Sequence, residues 1–165
     1  MSGRRSAGER GAAAVEFALV VPLLLAVMFG IVDYGLWFGD SLNVRQGVDE
    51  GARRAVVKDF GDCSGNAAEQ TACVTRERIS PLGGDVYVRV SVAGPGGNQG
   101  EWTKGGKLSV CAVIRENGLT GLTPMPADGL MSSAVNKRVE VTITGTVPVS
   151  EDTLPAGATW EEMCG

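Results

Sequence analysis

The sequence predicts an α+β fold, in which one long N-terminal helix, membrane-spanning and then amphipathic, is followed by a small antiparallel sheet of three or four strands. Three patterns predict it. An apolar run covers residues 12–32, a period near 3.6 residues continues to about Phe60, and alternating valines appear after Gly61. We therefore divide the chain into a basic leader (1–11), a membrane helix (12–32), its extension outside the membrane (33–60) and an α+β head (61–165).

Charge and composition exclude several classes of function. The 165 residues carry a net charge of −4. Because the leader holds three arginines and one glutamate, the rest of the chain carries −6. An acidic body is poorly suited to nucleic acid, whose phosphates require clustered lysine and arginine. The chain has no histidine and no grouping of nucleophile, base and orienting residue, so we expect no enzyme, no cofactor and no small-molecule substrate.

The apolar run is long enough to cross a membrane. Its 21 residues give roughly 31 Å of helix, close to the thickness of a bilayer core. Arg4, Arg5 and Arg10 precede the run, and Asp33 and Asp40 follow it. By the positive-inside rule, the N-terminus is cytoplasmic and the chain beyond residue 33 is extracytoplasmic. A cleaved secretory signal is the alternative, but its apolar part is shorter and ends at small residues, whereas aromatic residues follow this run.

Glu16 is the one charged residue inside the apolar run. A carboxylate costs about 2.5–3.5 kcal/mol at the centre of a membrane helix and less near its end. In an intact chain, Glu16 can reach the headgroups from the membrane interface. In a chain cut between Gly11 and Ala12, Glu16 is instead the fifth residue after a new ammonium group. Each of these two charges can then neutralise its counterpart on a neighbouring chain, which would set the register of lateral packing.

These residues carry a family resemblance. The segment RGAAAVEFALVVPLLL, residues 10–25, resembles the processing site and helix of type IV pilin-like proteins. Together with SLNVRQGVDEGARRAVV, residues 41–57, it is most similar to the TadE/TadF-like pseudopilins of tight-adherence (Flp-type) pili. The resemblance implies that a membrane-embedded prepilin peptidase cuts after Gly11, and that Glu16 and Phe17 act in assembly and register. Ala12 stands where major pilins usually have Phe or Met, which favours a minor subunit.

The predicted helix contains residues that disfavour a helix, among them Pro22, Gly47 and Gly51. Pro22 removes the amide that would bond to the carbonyl of Ala18, so we expect a kink, favoured as a tolerated feature of a membrane helix over a role in assembly. Gly47 and Gly51 each cost about 1 kcal/mol relative to alanine. This part of the helix therefore needs packing to persist, and the two glycines can also mark close contact with the sheet.

Alternating residues predict three strands in the head, at about 86–92, 108–114 and 139–147, with the second the most apolar. Residues 94–100 are rich in glycine but lack the strand–loop–helix context of a phosphate site, so we expect a surface turn. Residues 117–136 predict a long connection with room for a short helix. The acidic residues along the helix, at positions 33, 40, 49 and 50, are interpreted as a solvated face.

All four cysteines lie after the apolar run, on the side predicted to be oxidising. They allow three pairings. We favour Cys63 with Cys73, closing a polar loop after the helix, and Cys111 with Cys164, tying the C-terminal tail to the central strand. A metal site is the alternative, but no closely spaced C-x₂₋₄-C pair is present.

The resemblance and the residues together predict a structural and assembly role. The protein would be a minor pseudopilin, a single-pass membrane protein that enters a pilus after processing. Its expected partners are the prepilin peptidase, other pilin-like subunits, the inner-membrane assembly platform and membrane lipid. The alternative is an uncleaved, signal-anchored extracytoplasmic binding protein that never enters a fibre.

Overall fold

The structure is a computed structural model that describes residues 7–79, 84–116 and 129–165, with side chains from residue 11. The elements, in chain order, are α1 (Ala7–Val56), α2 (Ala67–Arg78), β1 (Asp85–Ala93), β2 (Lys107–Arg115), β3 (Leu130–Arg138), β4 (Ser150–Glu151) and α3 (Trp160–Cys164). The strands form one antiparallel sheet in the order β3-β2-β1-β4. The predicted α+β class is therefore confirmed.

Helix α1 has 50 residues and runs without interruption from the apolar segment into the head. Its second half is amphipathic, because one face buries Val44, Val48 and Ala52 at helical spacing. The helix ends at Val56, slightly before the predicted Phe60. Lys58 there adopts a left-handed backbone with a φ of 61°, a conformation that commonly ends helices.

Helix α2 stands where the sequence predicted a polar loop, so that prediction was wrong. Asn66 caps the helix: its side chain accepts hydrogen bonds from the amides of Ala68 and Glu69, and Glu69 bonds back to the amide of Asn66. The buried residues of α2 are alanines and threonines, with Val74 as the one larger apolar side chain. Thr71 and Thr75 satisfy their buried hydroxyls by donating to the carbonyls four residues earlier.

Gly47 and Gly51 face α2 and not the sheet, which corrects the predicted alternative. A Cβ at Gly51 would lie 2.9 Å from the Cα of Thr75, and one at Gly47 would lie 3.2 Å from the backbone of Arg78. The two helices therefore approach each other closely because these positions have no side chain.

Strands β1 and β2 coincide with two of the predicted strands and pair over their full length, from Asp85 with Arg115 to Ala93 with Lys107. Val88, Val90 and the even-numbered residues of β2 face α1 and α2 in the core. On the opposite face, Cys111 and Val113 are also buried, near the disulfide that ties the C-terminal helix to β2. The central strand is consequently apolar on both faces.

The third strand lies earlier in the chain than the sequence predicted. Strand β3 covers residues 130–138, and its first seven residues fall within the predicted connection of 117–136. Residues 117–128 of that connection lie outside the described ranges. The predicted strand at 139–147 is irregular: the amide of Val139 donates to Gly106, and the amide of Ile143 donates to Trp102. Val139 and Val147 are buried. The alternating apolar pattern therefore arises from buried side chains in an irregular segment and not from a strand.

Two disulfides join the favoured pairs of cysteines. The bond between Cys63 and Cys73 links the loop before α2 to the middle of that helix, and the bond between Cys111 and Cys164 links β2 to α3. Their sequence separations are 10 and 53 residues. In the chain-entropy account, such loops stabilise the folded state by about 3 and about 4 kcal/mol, respectively. A head with a small core gains substantially from both.

Candidate functional site

The predicted processing site lies near the start of α1. The bond between Gly11 and Ala12 falls after the first turn of the helix, which begins at Ala7. Both residues are exposed, and apart from its chain neighbours and the backbone of its own helix, nothing lies within 4 Å of the place where a Cβ on Gly11 would stand. The described part of the head therefore does not cover this position.

Glu16 and Phe17 are also exposed, and Phe17 keeps 70% of its surface. Successive residues of a helix point in directions about 100° apart, so the carboxylate and the ring face different sides of α1. Ala12 and Glu16, four residues apart, lie on one face. A charge on the backbone nitrogen of residue 12 would thus lie on the same side of the helix as the Glu16 carboxylate.

The first half of α1 presents an apolar surface that the rest of the described chain does not cover. An 18-residue window of this helix has a mean hydropathy of 2.6 and none of it is buried. The large side chains along it are exposed on every side: Val15, Leu19, Val20, Leu23, Leu24, Val27 and Ile31. A helix that is apolar all round requires lipid or other apolar helices around it. It is long and apolar enough to cross a membrane, which fits a single-pass anchor.

Pro22 lies inside α1, and the helix continues on both sides of it. The kink expected at this residue remains a prediction.

The head begins to cover α1 at Asp33. Asp33 is 1% exposed and Asp40 is 3% exposed, whereas Tyr34 and Phe38 on the opposite side are exposed. The two aspartates therefore do not belong to a solvated face, and that interpretation was wrong for them. Their spacing of seven residues matches two helical turns and leads into buried Val44. The spacing puts both carboxylates on the helix face that carries Val44, but it does not by itself show that the head covers that face so close to the apolar segment.

Glu116 directly follows β2 and lies beside Asp40. Burial raises the pKa of Glu116 to about 7, and a hydrogen bond with Asp40 and the charge of Asp40 add to the shift. A hydrogen bond between two carboxyl groups requires a proton on one of them. This contact joins the end of the central strand to α1, at the end of the head nearest the apolar segment.

One group of possible metal ligands occurs among the described residues. The sulfurs of Cys63 and Cys73 and a carboxylate oxygen of Glu77 lie within 4.8 Å of one another. Because both sulfurs are engaged in a disulfide, neither is a thiolate, the form that binds metal. This group therefore acts as a structural bridge.

The comparisons with known proteins concern the N-terminal helix α1. The family model described as TadE-like protein matches residues 11–53, which confirms the resemblance to TadE-like proteins over that range. The match begins at Gly11 and includes the apolar segment and most of the part of α1 that packs on the head. No curated protein and no solved structure matches the chain.

Proposed function

We propose that the protein is a minor pseudopilin of a tight-adherence (Flp-type) pilus, a pilus related to type IV pili. It is cut after Gly11, is held in the membrane by the first half of α1, and then packs laterally against other pilin-like subunits through that helix. Glu16 sets the register of this packing, and the head remains outside the membrane. The role is structural, in assembly, and involves no catalysis.

One observation carries the proposal: a TadE-like match that starts at Gly11 coincides with an uncovered apolar helix containing one carboxylate. A plain membrane anchor gains nothing from Glu16, which costs free energy in hydrocarbon. A processed chain uses the same residue, because the new ammonium group on Ala12 and the carboxylate of Glu16 can pair between neighbouring helices. In a dry setting, the attraction is several times the roughly 1 kcal/mol expected at about 4 Å in water.

The charges around the helix support one orientation. The leader carries three arginines, and the first lysine or arginine after the apolar run is Arg45. The positive-inside rule then keeps the leader in the cytoplasm and the head outside. The partners of such a chain are the prepilin peptidase at Gly11, membrane lipid and pilin-like subunits around α1, and the inner-membrane assembly platform.

The N-terminus of the membrane-extracted protein tests the proposal. We expect intact-mass analysis and N-terminal sequencing to find a chain that begins at Ala12 in cells with active prepilin peptidase. A strain without the peptidase is the control and should keep the full leader. Gly11→Ala should leave the leader attached in the normal strain. The resemblance implies that the peptidase recognises the glycine directly before the cut.

A chain that begins at Met1 or Ser2 in the peptidase-positive strain would overturn the proposal. It would favour the uncleaved, signal-anchored binding protein, which uses the same anchor but requires no processing.

A further inference from the structure

A polar cavity of about 360 Å³ lies on the face of the sheet turned away from α1; we call it the distal cavity. Its lining side chains include Arg89, Ser91, Lys107, Ser109 and Asn136. None of the described side chains that line it is acidic, although the chain as a whole is acidic. The lining side chains therefore supply hydrogen-bond donors and the unpaired cation Lys107, while Arg89 pairs with Glu151 and the main chain of Gly165 completes the lining.

At one end of this cavity, the lining residue Lys107 stands directly opposite a second cation, Arg138, which lies outside the lining. Lys107 on β2 pairs in register with Arg138 on β3, so both side chains lie on the same face as Ser109 and Asn136. Like charges in this position repel and destabilise a sheet. Within the described ranges, no ion pair joins either residue to a carboxylate, including the C-terminal one of Gly165. An anion bound beside them would relieve the repulsion.

The polar side chains near the cations are ordered by the fold. The hydroxyl of Ser109 donates to the Oδ1 atom of Asn136 at 2.6 Å, which leaves the amide hydrogens of Asn136 to donate elsewhere. On the other side, Arg89 is held at 3.2 Å from Glu151. The disulfide between Cys111 and Cys164 fixes the wall contributed by the C-terminal residues. The donors are therefore held in place before any ligand arrives, which lowers the entropy cost of binding.

The cavity lies toward the end of the head that is farthest from the apolar segment. Lys137, next to Arg138, forms an ion pair with Asp49 on α1, and the amide of Glu140 donates to Val56 at the end of that helix. Asp40 and Glu116 mark the opposite end, nearest the apolar segment. A ligand approaching from outside would reach the distal cavity without passing the membrane.

We propose that the distal cavity binds an acidic saccharide, with the carboxylate of a uronic acid on Lys107, at the side of the cavity toward Arg138, and its hydroxyl groups on Ser91, Ser109 and Asn136. A volume of about 360 Å³ exceeds what a bare carboxylate or phosphate occupies and falls within the range of small-molecule sites. Serine hydroxyls and a side-chain amide both donate and accept, as sugar hydroxyls require. The ligand is bound and not transformed.

Calorimetric titration of the full chain in detergent micelles tests this inference. The probes are glucuronate, glucose as its uncharged counterpart, and acetate as a carboxylate without hydroxyls. We expect glucuronate to bind at least tenfold more tightly than either of the other two. Lys107→Ala should weaken glucuronate binding about tenfold, the factor expected for loss of a charged hydrogen bond. Asn136→Ala should weaken it less.

Lys104→Ala is the matched control, since Lys104 carries the same charge and does not line the cavity. It should leave the affinity within about twofold of the parent. Circular dichroism of each variant checks that the head is folded. The inference is overturned by an absence of glucuronate binding, by acetate binding as tightly as glucuronate, or by an equal loss of affinity in the Lys104 and Lys107 variants. None of these outcomes bears on cleavage at Gly11.

Discussion

Glu16 occupies a position where its charge has a cost and no compensating contact within the described chain. It lies near the start of the uncovered apolar half of α1, and its neighbours Val15 and Phe17 are exposed. A membrane helix tolerates such a residue near its end. Removing the charge of Glu16 distinguishes a role in assembly from a tolerated charge. Membrane insertion should improve or stay the same, whereas lateral packing between subunits should fail.

Glu16→Ala should preserve or improve membrane insertion and abolish incorporation into pili. Insertion improves because a carboxylate no longer enters the hydrocarbon, and packing fails because the ammonium group of the neighbouring chain loses its partner. Immunoblots of membrane fractions and of sheared pili measure the two effects separately. Val15→Ala, at the adjacent exposed position, is the control and should reduce neither. If Glu16→Ala instead lost membrane insertion, the residue would act in anchoring and not in assembly.

Among the residues of the candidate site, some could be assigned from the sequence and others could not. The Glu16 position could be read directly, because a lone charge in an apolar run is visible without a structure. Asp33 and Asp40 could not be assigned in the same way. An aspartate just beyond a membrane helix is equally compatible with water and with a folded head, and the head that buries both residues is built from distant parts of the chain.

At the level of elements, the contact between α1 and α2 depends on two positions without side chains. Gly51 lies against the backbone of Thr75, and Gly47 lies against α2 at its C-terminal end. Such a close approach lets small residues on α2 bury their surface, which explains why its packed face contains alanine and threonine.

Gly51→Ala should destabilise the head. A Cβ there would lie 2.9 Å from the Cα of Thr75, and overpacking of this kind costs about 1–3 kcal/mol. Gly39→Ala is the matched control in the same helix, because nothing lies within 4 Å of its Cβ position. It should be neutral or stabilise by up to about 1 kcal/mol through helix propensity. Urea unfolding in detergent, followed by the fluorescence of buried Trp102, compares the two; equal shifts would contradict the close approach.

The elements that the sequence missed share a physical cause. Helix α2 has few large apolar residues, so its period was weak, although the Asn66 and Glu69 spacing of a capping box was present. Strand β3 is an edge strand with serines, an asparagine and two cations. These polar residues are typical of loops, so the sequence did not predict a strand there. Conversely, residues 139–147 alternate because Val139 and Val147 enter the core from an irregular segment. Tertiary packing decided all three cases.

At the level of the whole molecule, the chain has an uncovered half and a packed half that share one helix. The hydropathy of the sequence predicts a boundary between the two halves. Burial begins at Asp33, directly after the predicted membrane span of residues 12–32. The head's sheet order and the connection of α3 to β2 arise from long-range pairing, which no local pattern specifies. The joint between the halves includes the carboxyl groups of Asp40 and Glu116.

This joint predicts that the head is more stable in mild acid. Because the folded-state pKa of Glu116 is raised from 4.5 to about 7, the folded protein holds a proton between these values that the unfolded chain releases. The contribution of Glu116 to the free energy of unfolding therefore falls as the pH rises from about 4.5 to about 7. Above that range, Glu116 is charged in a half-buried position beside the acidic side chain of Asp40, which weakens the joint between β2 and α1.

Glu116→Gln isolates this contribution, because the amide can still donate to Asp40 but does not titrate. Urea unfolding of the full chain at several pH values between 5 and 8 should show the parent losing stability relative to the variant as the pH rises. Glu77→Gln is the control, since Glu77 lies beside the disulfide of α2 and not at the joint, and its curve should run parallel to that of the parent. Parallel curves for Glu116→Gln as well would show that the joint does not hold a shared proton.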